Sequence, residues 1–391
     1  MKKQISLRDF NSAQKRRQFL EKQLNIHLDN ISQFSFTEEQ VKGRNIENLI
    51  GATQIPLGVA GPIKVQSEKC KVKSYYIPLA TTEGALVASA SRGCKAISES
   101  GGAYVEVETV GATRGSVFVT SGIRQSRQII KWLENNFKLI AKVAQGESSH
   151  LKLLKIDSSL VGKNLFLRFC YDSQDAMGLN MVTIANTNVA FLLEKQFKIK
   201  CVAVAGNYDI DKKPAWLNFI LGRGKKVWAE IILKGKLVKE ILKTTPEAIA
   251  EVVYRKIQIG SAMAGSLGFN AHYANVVAAI FAATGQDLAQ VSEGSLGVTT
   301  AEVLPNGDLY FSVFLPDLMC GTVGGGIHLP GQQEALKLMS LKGPGDSIKY
   351  AQIVGSAILA VELSLIASLA EGTLAKAHQK LGRGKGDKKS I

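Results

Sequence analysis

No Cys-x-x-Cys pair occurs in this 391-residue chain, and its five cysteines, Cys70, Cys94, Cys170, Cys201 and Cys320, are odd in number and widely spaced. That pattern excludes a disulfide framework and points to reduced thiols in a cytosolic setting. The first residues lack the apolar run of a signal peptide, so secretion is not expected. Pro-rich tracts, Gln/Asn-rich tracts and internal repeats are also missing. With 46% hydrophobic and 21% charged residues the chain reads as folded and globular, long enough for two or three domains. Acidic residues are scarce, 33 against 48 Lys and Arg, for a formal charge of +15. The excess gathers at the ends, in "MKKQISLRDFNSAQKRRQ" and "GRGKGDKK". Without a basic stripe interleaved with aromatics, or a helix-turn-helix or RNP pattern, an anionic small molecule accounts for it as well as a polynucleotide does. Formal charge is missing altogether from Ile257 to Thr284, a length that could span a membrane. Gln258, Asn270, His272 and Asn275 would pair poorly in hydrocarbon, so the expectation is one helix through the centre of a soluble domain.

Several signatures of known chemistry are absent as well. There is no GxGxxG after a strand, no GxxxxGK[ST], no HExxH and no GxSxG, which excludes a Rossmann dehydrogenase of the usual kind, a P-loop enzyme, a zincin and an α/β-hydrolase. The five histidines never fall at metal-ligand spacing with each other or with cysteine, so no metal is expected. What is present begins with a polar, helical stretch of forty-odd residues ending in a capping box, Thr37 with Gln40, stapled by Phe36 and Val41. "ENLIGATQIPLGVAGPIKV" then reads as strands and tight turns, and "TTEGALVASASRGCKAISES" as a helix capped by Thr81 or Thr82 with Glu83 in its first turn. From Val105 to Val204 strand-like and helical pieces alternate, as in a small α/β domain inserted in a larger one. A strand pair with Asn306-Gly307 as its turn and a last long helix, "DSIKYAQIVGSAILAVELSLIASLAEG", complete the pattern.

Polar residues in small, apolar surroundings are the candidates for chemistry. Burial would fit Glu83 to hold a proton near neutrality, although a first-turn glutamate also complements a helix dipole. Asp287, closing the uncharged helix against the local field, calls for a cation, unless it simply faces solvent. Lys212 and Lys213 follow Asp211 and precede Pro214; a lysine held by carboxylates can polarise a carbonyl, whereas a bare DKKP turn is a surface turn. His378, after the last helix, could protonate a leaving group or be a solvated tail residue. "DAMGLNM" and "GTVGGGIHLPGQ" expose backbone amides suited to phosphates or a carboxamide, or simply make turns.

Taken together, "ENLIGATQIPLGVAGP", "TTEGALVASASRGCKAI", "DAMGLNM", "GNYDIDKKP", "GSAMAGSLGFNAHYANVV", "GQDLAQ" and "GTVGGG" resemble, in order and spacing, the catalytic domain of 3-hydroxy-3-methylglutaryl-CoA (HMG-CoA) reductases of the class I type. The resemblance runs from about Glu47 to His378. It implies a mixed α/β (α+β) fold. A large substrate-binding and dimerisation domain, 47–115 and 205–391, would be built around a long central helix. A small ferredoxin-like NAD(P)-binding domain, 116–204, would be inserted in it, and a helical segment, 1–46, would precede it. It also implies a cytoplasmic enzyme that reduces HMG-CoA to mevalonate and CoA with two NADPH, NADH being the alternative, in a homodimer or dimer of dimers with shared active sites.

Carried over residue by residue, Lys212 would hold the thioester oxygen and the oxyanion formed from it, Glu83 would supply a proton, Asp287 would bridge the two, and His378 would protonate the departing thiolate. Asp211, Lys213 and Arg114 would position the HMG carboxylate. Asn275 would sit near the thioester. Ser89, Arg92, Asn207, Lys243 and Lys256 match positions near HMG or CoA. Asp175, Met177, Gly178 and Asn180, with Gly324, Gly325 and Gly326, match the cofactor side. The chain departs from the family pattern at Ala205, where serine is usual, and at Ser149, where a basic residue usually helps hold the cofactor's 2'-phosphate, leaving His150 or Lys152 as substitutes. It departs again at Ile327 and in "GSLGFNAH", one glycine short. These departures leave an alternative, a catalytically altered homologue that reduces or only binds a related acyl-CoA.

Overall fold

The computed structural model of the protein describes residues 6–68, 70–146 and 148–372. Ten strands follow one another as β1 (Leu57–Ser67), β2 (Cys70–Ala80), β3 (Ala103–Val119), β4 (Lys152–Val161), β5 (Asn164–Asp172), β6 (Lys200–Ala203), β7 (Arg223–Leu233), β8 (Gly268–Phe269), β9 (Gly297–Val303) and β10 (Leu309–Leu318). Among the described residues the α-helices of nine residues or more are α1 (Ala13–Leu24), α2 (Leu86–Glu99), α3 (Ile123–Asn135), α4 (Phe137–Gln145), α5 (Leu179–Phe197), α6 (Tyr273–Thr284), α7 (Pro330–Leu338) and α8 (Ser347–Glu371). The fold is mixed α/β, as the sequence implies.

Two sheets share one strand. The first runs β2-β1-β3-β7-β10-β9-β8. The second runs β6-β3-β5-β4, all antiparallel, with α3 and α4 between β3 and β4 and α5 between β5 and β6. That β-α-β-β-α-β order is the ferredoxin-like arrangement. The 17-residue β3 pairs with β7 from Tyr104 to Gly111 and with β5 from Ala112 to Val119. Gly111 marks the crossing: its φ is 99°, and a Cβ there would stand 2.5 Å from the Tyr171 carbonyl oxygen, so only glycine fits.

The larger core gathers around α8, which is apolar on nearly every side and therefore needs neighbours all round. Its backbone meets α2 so closely that a Cβ on Gly93 would lie 1.9 Å from the Ala360 carbonyl oxygen. Gly372 in the left-handed region ends it. Among the described residues α8 alone is long and apolar enough to cross a membrane, but 78% of its apolar window is buried inside the fold. A second core lies between α3, α4, α5 and the second sheet, and a third, small one holds Ala13, Val41 and Leu49. The Thr37–Gln40 capping box is present, and Phe36 packs against the small core that holds Val41, although the helix it starts is only Glu38–Val41.

Two expectations need correction. The uncharged stretch 257–284 is not one helix, and the central helix is α8 instead. A helical run from Pro246 carries π-type hydrogen bonding over Val253–Gly260 and ends at Met263. The chain then turns, with Ser266 Oγ and Asn270 side-chain atoms binding nearby backbone, before α6 begins at Tyr273. Polar side chains that bond local backbone compete with the helix, and composition without charge cannot reveal that. Of the first run Tyr254, Ile259 and Met263 are exposed, while Ile249, Val253 and Ile257 reach the core that α6 also enters. The helix expected from Thr81 starts at Leu86, with Ala85 at φ 75° before it.

Candidate active site

The loop 205–213 is folded tightly against β3. Gly206 N–H donates to Gly115 O at 2.5 Å, and a Cβ on Gly206 would strike Val117. Asn207, Ile210 and Lys212 all take left-handed backbone, φ 63°, 52° and 60°. Non-glycine residues do so at a cost of roughly 1–2 kcal/mol each, so something must hold them. The holders are side chains: Thr113 Oγ1 donates to Asp209 O at 3.0 Å, Asn218 Nδ2 to Ile210 O at 3.0 Å, and the Lys212 N–H is accepted by Glu293 Oε1. So presented, Lys212 Nζ lies 2.9 Å from Asp287 Oδ2, with the lysine side chain 43% exposed and the aspartate 28%.

Asp287 reaches that position differently from expectation. α6 ends at Thr284, and Asp287 is the cap of the short helix Leu288–Gln290, its Oδ1 accepting Ala289 N–H at 3.0 Å. It sits at a favourable N-terminus rather than an unfavourable C-terminus.

Behind the lysine, Asp211 accepts from Arg223 Nη2 and from Gln290 Nε2, each at 3.0 Å, and from Arg114 Nη1 at 3.4 Å. Burial pushes this carboxyl up, but Arg223, the Gln290 hydrogen bond, Arg114 and Lys212 together hold it below the usual range. Arg114 is itself buried, donating to Asp209 at 3.1 Å and to Thr183 Oγ1 at 2.8 Å. Both residues are engaged inside the chain, so Asp211 acts on its neighbouring cations, and Arg114 does not stand free toward a ligand. Lys213 is exposed, its Nζ donating to Asp211 O at 3.1 Å, and Asn207 is exposed too.

Glu83 is exposed, in the turn before α2, with its N–H bonded to Thr81 Oγ1 at 3.0 Å. The desolvation expected for it is not supplied by this chain. Its Oε2 accepts Asn275 Nδ2 at 2.8 Å, which joins two of the expected site residues. It makes no ion pair with Lys212 within the chain. One turn before Asn275, the buried Glu362 accepts from the N–H groups of Ala271 and His272, from His272 Nδ1 at 2.9 Å and from Thr299 Oγ1 at 2.7 Å, fixing the start of α6. Ser89 and Arg92 point to α8: Ser89 Oγ donates to Ser364 Oγ at 2.9 Å, and Arg92 to Ser364 and Ser368. Lys243 and Lys256 are exposed and are not joined to the Lys212 cluster. His378 lies outside the described residues.

The two glycine-rich stretches meet. Ala176 and Val323 form a β-bridge, Thr322 N–H donates to Asp175 O at 2.7 Å, and a Cβ on Gly321 would lie 2.6 Å from Met177 N. Asp175 uses its carboxylate to cap α8, accepting Gly345 N–H at 2.8 Å and Ser347 N–H at 3.1 Å; burial opposes these bonds, yet they bring the carboxyl below its usual range. Gly178 stands at the N-cap of the 19-residue α5 without a capping side chain, and Asn180 is exposed in its first turn. Gly324 and Gly325 take φ 82° and 55° and a Cβ on either would meet nothing, although Gly325 O accepts Asn45 Nδ2 at 3.2 Å, and Gly326 packs on Gly285. Unpaired amides at the start of α5 beside an open glycine turn fit an anionic group. His150 Nδ1 lies 3.2 Å from Gln174 Oε1 at the edge of the same region.

Arg223, Gln290, Glu293, Asp209, Asp317 and Glu362 were not singled out from the sequence. Charges inside apolar elements, as in "FSVFLPDLMC" and "AILAVELSLI", were the available signal, because a buried ion demands a partner.

The family model of hydroxymethylglutaryl-coenzyme A reductase matches residues 12–383. The chain is 50% identical over 375 residues to the 3-hydroxy-3-methylglutaryl-coenzyme A reductase of Pyrococcus horikoshii, covering 94% of this chain and 91% of that protein. With the protein of the same name from Methanocaldococcus jannaschii it shares 50% over 374 residues, covering 94% and 92%. Among solved structures, the class II 3-hydroxy-3-methylglutaryl-CoA reductase from Streptococcus pneumoniae bound to NADPH superposes with a TM-score of 0.69 at 19% identity, over 93% of this chain and all of that one. At that identity the likeness concerns the fold.

Proposed function

The chain belongs to the hydroxymethylglutaryl-coenzyme A reductase family, and from that premise we propose how its own residues perform the four-electron reduction of HMG-CoA to mevalonate and free CoA. When bound, the reduced nicotinamide supplies hydride, two equivalents per turnover. The Gly178 end of α5 and the Gly324–Gly326 turn would hold it, with NADPH as the preferred form and NADH the alternative.

Lys212 donates a hydrogen bond to the thioester oxygen and holds the oxyanion that develops there. The observation that carries this role is the 2.9 Å pair with Asp287 on a loop whose left-handed backbone is fixed from three sides. Asp287 keeps the ammonium charged and oriented. Collapse of the first adduct expels the CoA thiolate, which His378 protonates, and leaves the aldehyde. Glu83, held by Asn275, gives its proton to the aldehyde oxygen in the second reduction.

Residues 116–204 serve as the cofactor-binding unit, 47–115 and 205–391 as the substrate and dimerisation unit, and 1–46 as the helical N-terminal segment. Glu83 is exposed in the single chain, and the first sheet leaves Trp228, Ile232 and Tyr104 uncovered, which supports a site completed between two subunits. The class I type rests on the quoted motifs alone; the solved structure of similar fold is a class II enzyme at 19% identity. Cytoplasmic placement is supported by free cysteines at positions 94, 170, 201 and 320.

Purified protein should oxidise two equivalents of NADPH per HMG-CoA, with NADH run in parallel. Lys212→Ala should lower kcat by about a hundredfold or more, in line with loss of an oxyanion donor. Unchanged turnover in that variant would remove the lysine from the mechanism.

A further inference from the structure

Beneath the Lys212 loop, two acids and one base are fully buried together: Glu293, Asp317 and Arg223. Arg223 is consumed on other partners. Its Nη1 donates to Glu293 Oε2 at 2.5 Å and Gln290 Oε1 at 3.2 Å, its Nη2 to Asp211 at 3.0 Å, and its Nε to Thr113 Oγ1 at 2.8 Å. Asp317 receives only Asn218 Nδ2, at 2.8 Å on Oδ2, and its Oδ1 has no donor although it is sealed from water. A buried anion with an idle oxygen, packed on a second carboxylate, is an arrangement that electrostatics forbids. The conflict disappears if Oδ1 is a hydroxyl whose proton faces Glu293, since two carboxyl groups sharing a dry site cannot both ionise.

We propose that Asp317 is kept as a neutral carboxylic acid donating its proton to Glu293, and that this pair is the positioning device that holds the Lys212 backbone in its left-handed turn. The role rests on the reading of Lys212 as the catalytic ammonium. With the proton in place every acceptor of Glu293 is occupied, by Lys212 N–H, by Arg223 and by Asp317. Remove it and two adjacent anions repel, Glu293 is driven from the Lys212 amide, and the lysine loses the bond that keeps it on Asp287. Burial and the Glu293 charge both push the Asp317 carboxyl well above the usual range, with Arg223 and the Asn218 hydrogen bond opposing them. The charged groups facing Asp317 are Glu293 from the short helix Val291–Gly294 and Arg223 from β7, with Asp211 behind the latter.

Three proteins test this: the full-length wild type, Asp317→Asn and Asp317→Leu. Infrared spectra at neutral pH should contain the carbonyl stretch of a protonated carboxylic acid in the wild type, and Asp317→Asn should lose it. In assays with HMG-CoA and NADPH, Asp317→Leu should lose about tenfold or more in kcat with KM little changed, as expected when orientation rather than binding suffers. Asparagine, which still donates to Glu293 but cannot ionise, should recover most of that loss and move the alkaline limb of the kcat profile to higher pH. An acid band of unchanged intensity in Asp317→Asn, or an asparagine variant as impaired as the leucine one with an unmoved alkaline limb, overturns the proposal. Should Asp317→Leu fail to fold, the infrared band and the pH profile of Asp317→Asn decide alone. The infrared result also stands apart from any outcome of Lys212→Ala, so a failed lysine role and a failed proton-sharing pair are told apart.

Discussion

At the scale of single residues, Asp211 is the hinge of the charge network. Among the described residues it is the one carboxylate paired with both Arg114 and Arg223, and it sits next in sequence to the lysine. Its folded pKa is depressed, so its contribution to stability is present above the ordinary carboxylate pKa of about 4 and is lost as pH falls through the lower folded value. Asp211→Asn should therefore flatten the acid side of the melting-temperature profile, and should cost about 1–3 kcal/mol at neutral pH through weakened hydrogen bonds to charged groups. A profile parallel to that of the wild type below pH 5 would mean that the carboxylate is not charged in the fold. The Lys212–Asp287 pair was legible in the sequence because each residue sits in a short, dense motif. Arg223, Glu293 and Asp317 were not, because each meets partners from remote segments and no local pattern encodes such a meeting. Glu83 is exposed in the single chain for a local reason: Ala85 takes a left-handed turn that delays the helix and leaves the carboxylate outside.

At the scale of elements, the contact between α2 and α8 sets the tightest tolerance in the larger core. Gly93→Ala would place a methyl against the Ala360 carbonyl, and the helices cannot separate without opening the packing around α8. We expect a loss of about 1–3 kcal/mol, or more, read as a lower melting temperature. Gly331→Ala, with open space around it, is the control that should change little. Strands, the Asn306-Gly307 turn and α8 could be read from the sequence because period, turn chemistry and length agree there. The stretch 257–284 could not, since absence of charge reports burial and says nothing of continuity, and Ser266 and Asn270 divert the backbone through side-chain bonds.

At the scale of the whole molecule, the outer face of the first sheet remains unmatched in a single chain. Trp228 stacks on Phe314 at 5.3 Å between ring centroids, beside exposed Ile232 and Tyr104, while the opposite face of the same strands is buried on α8. If two subunits join there, Trp228→Glu should lower the assembly state in light scattering and abolish turnover together. A monomer that retains wild-type turnover would show that one chain suffices. β3 adds a last consequence. Because one backbone belongs to both sheets, the outgoing connection between them has no loop, whereas the return from β6 to β7 runs through residues 204–222, the Lys212 loop included. A rotation of the second sheet would be taken up at Gly111, where β3 changes partner with φ at 99°, and in that return loop. One catalytic cycle requires a spent dinucleotide to leave and a fresh one to arrive while the half-reduced acyl group stays put. If the second sheet holds the dinucleotide, as proposed, a joint at the edge of that sheet lets the grip on one visitor slacken without loosening the other.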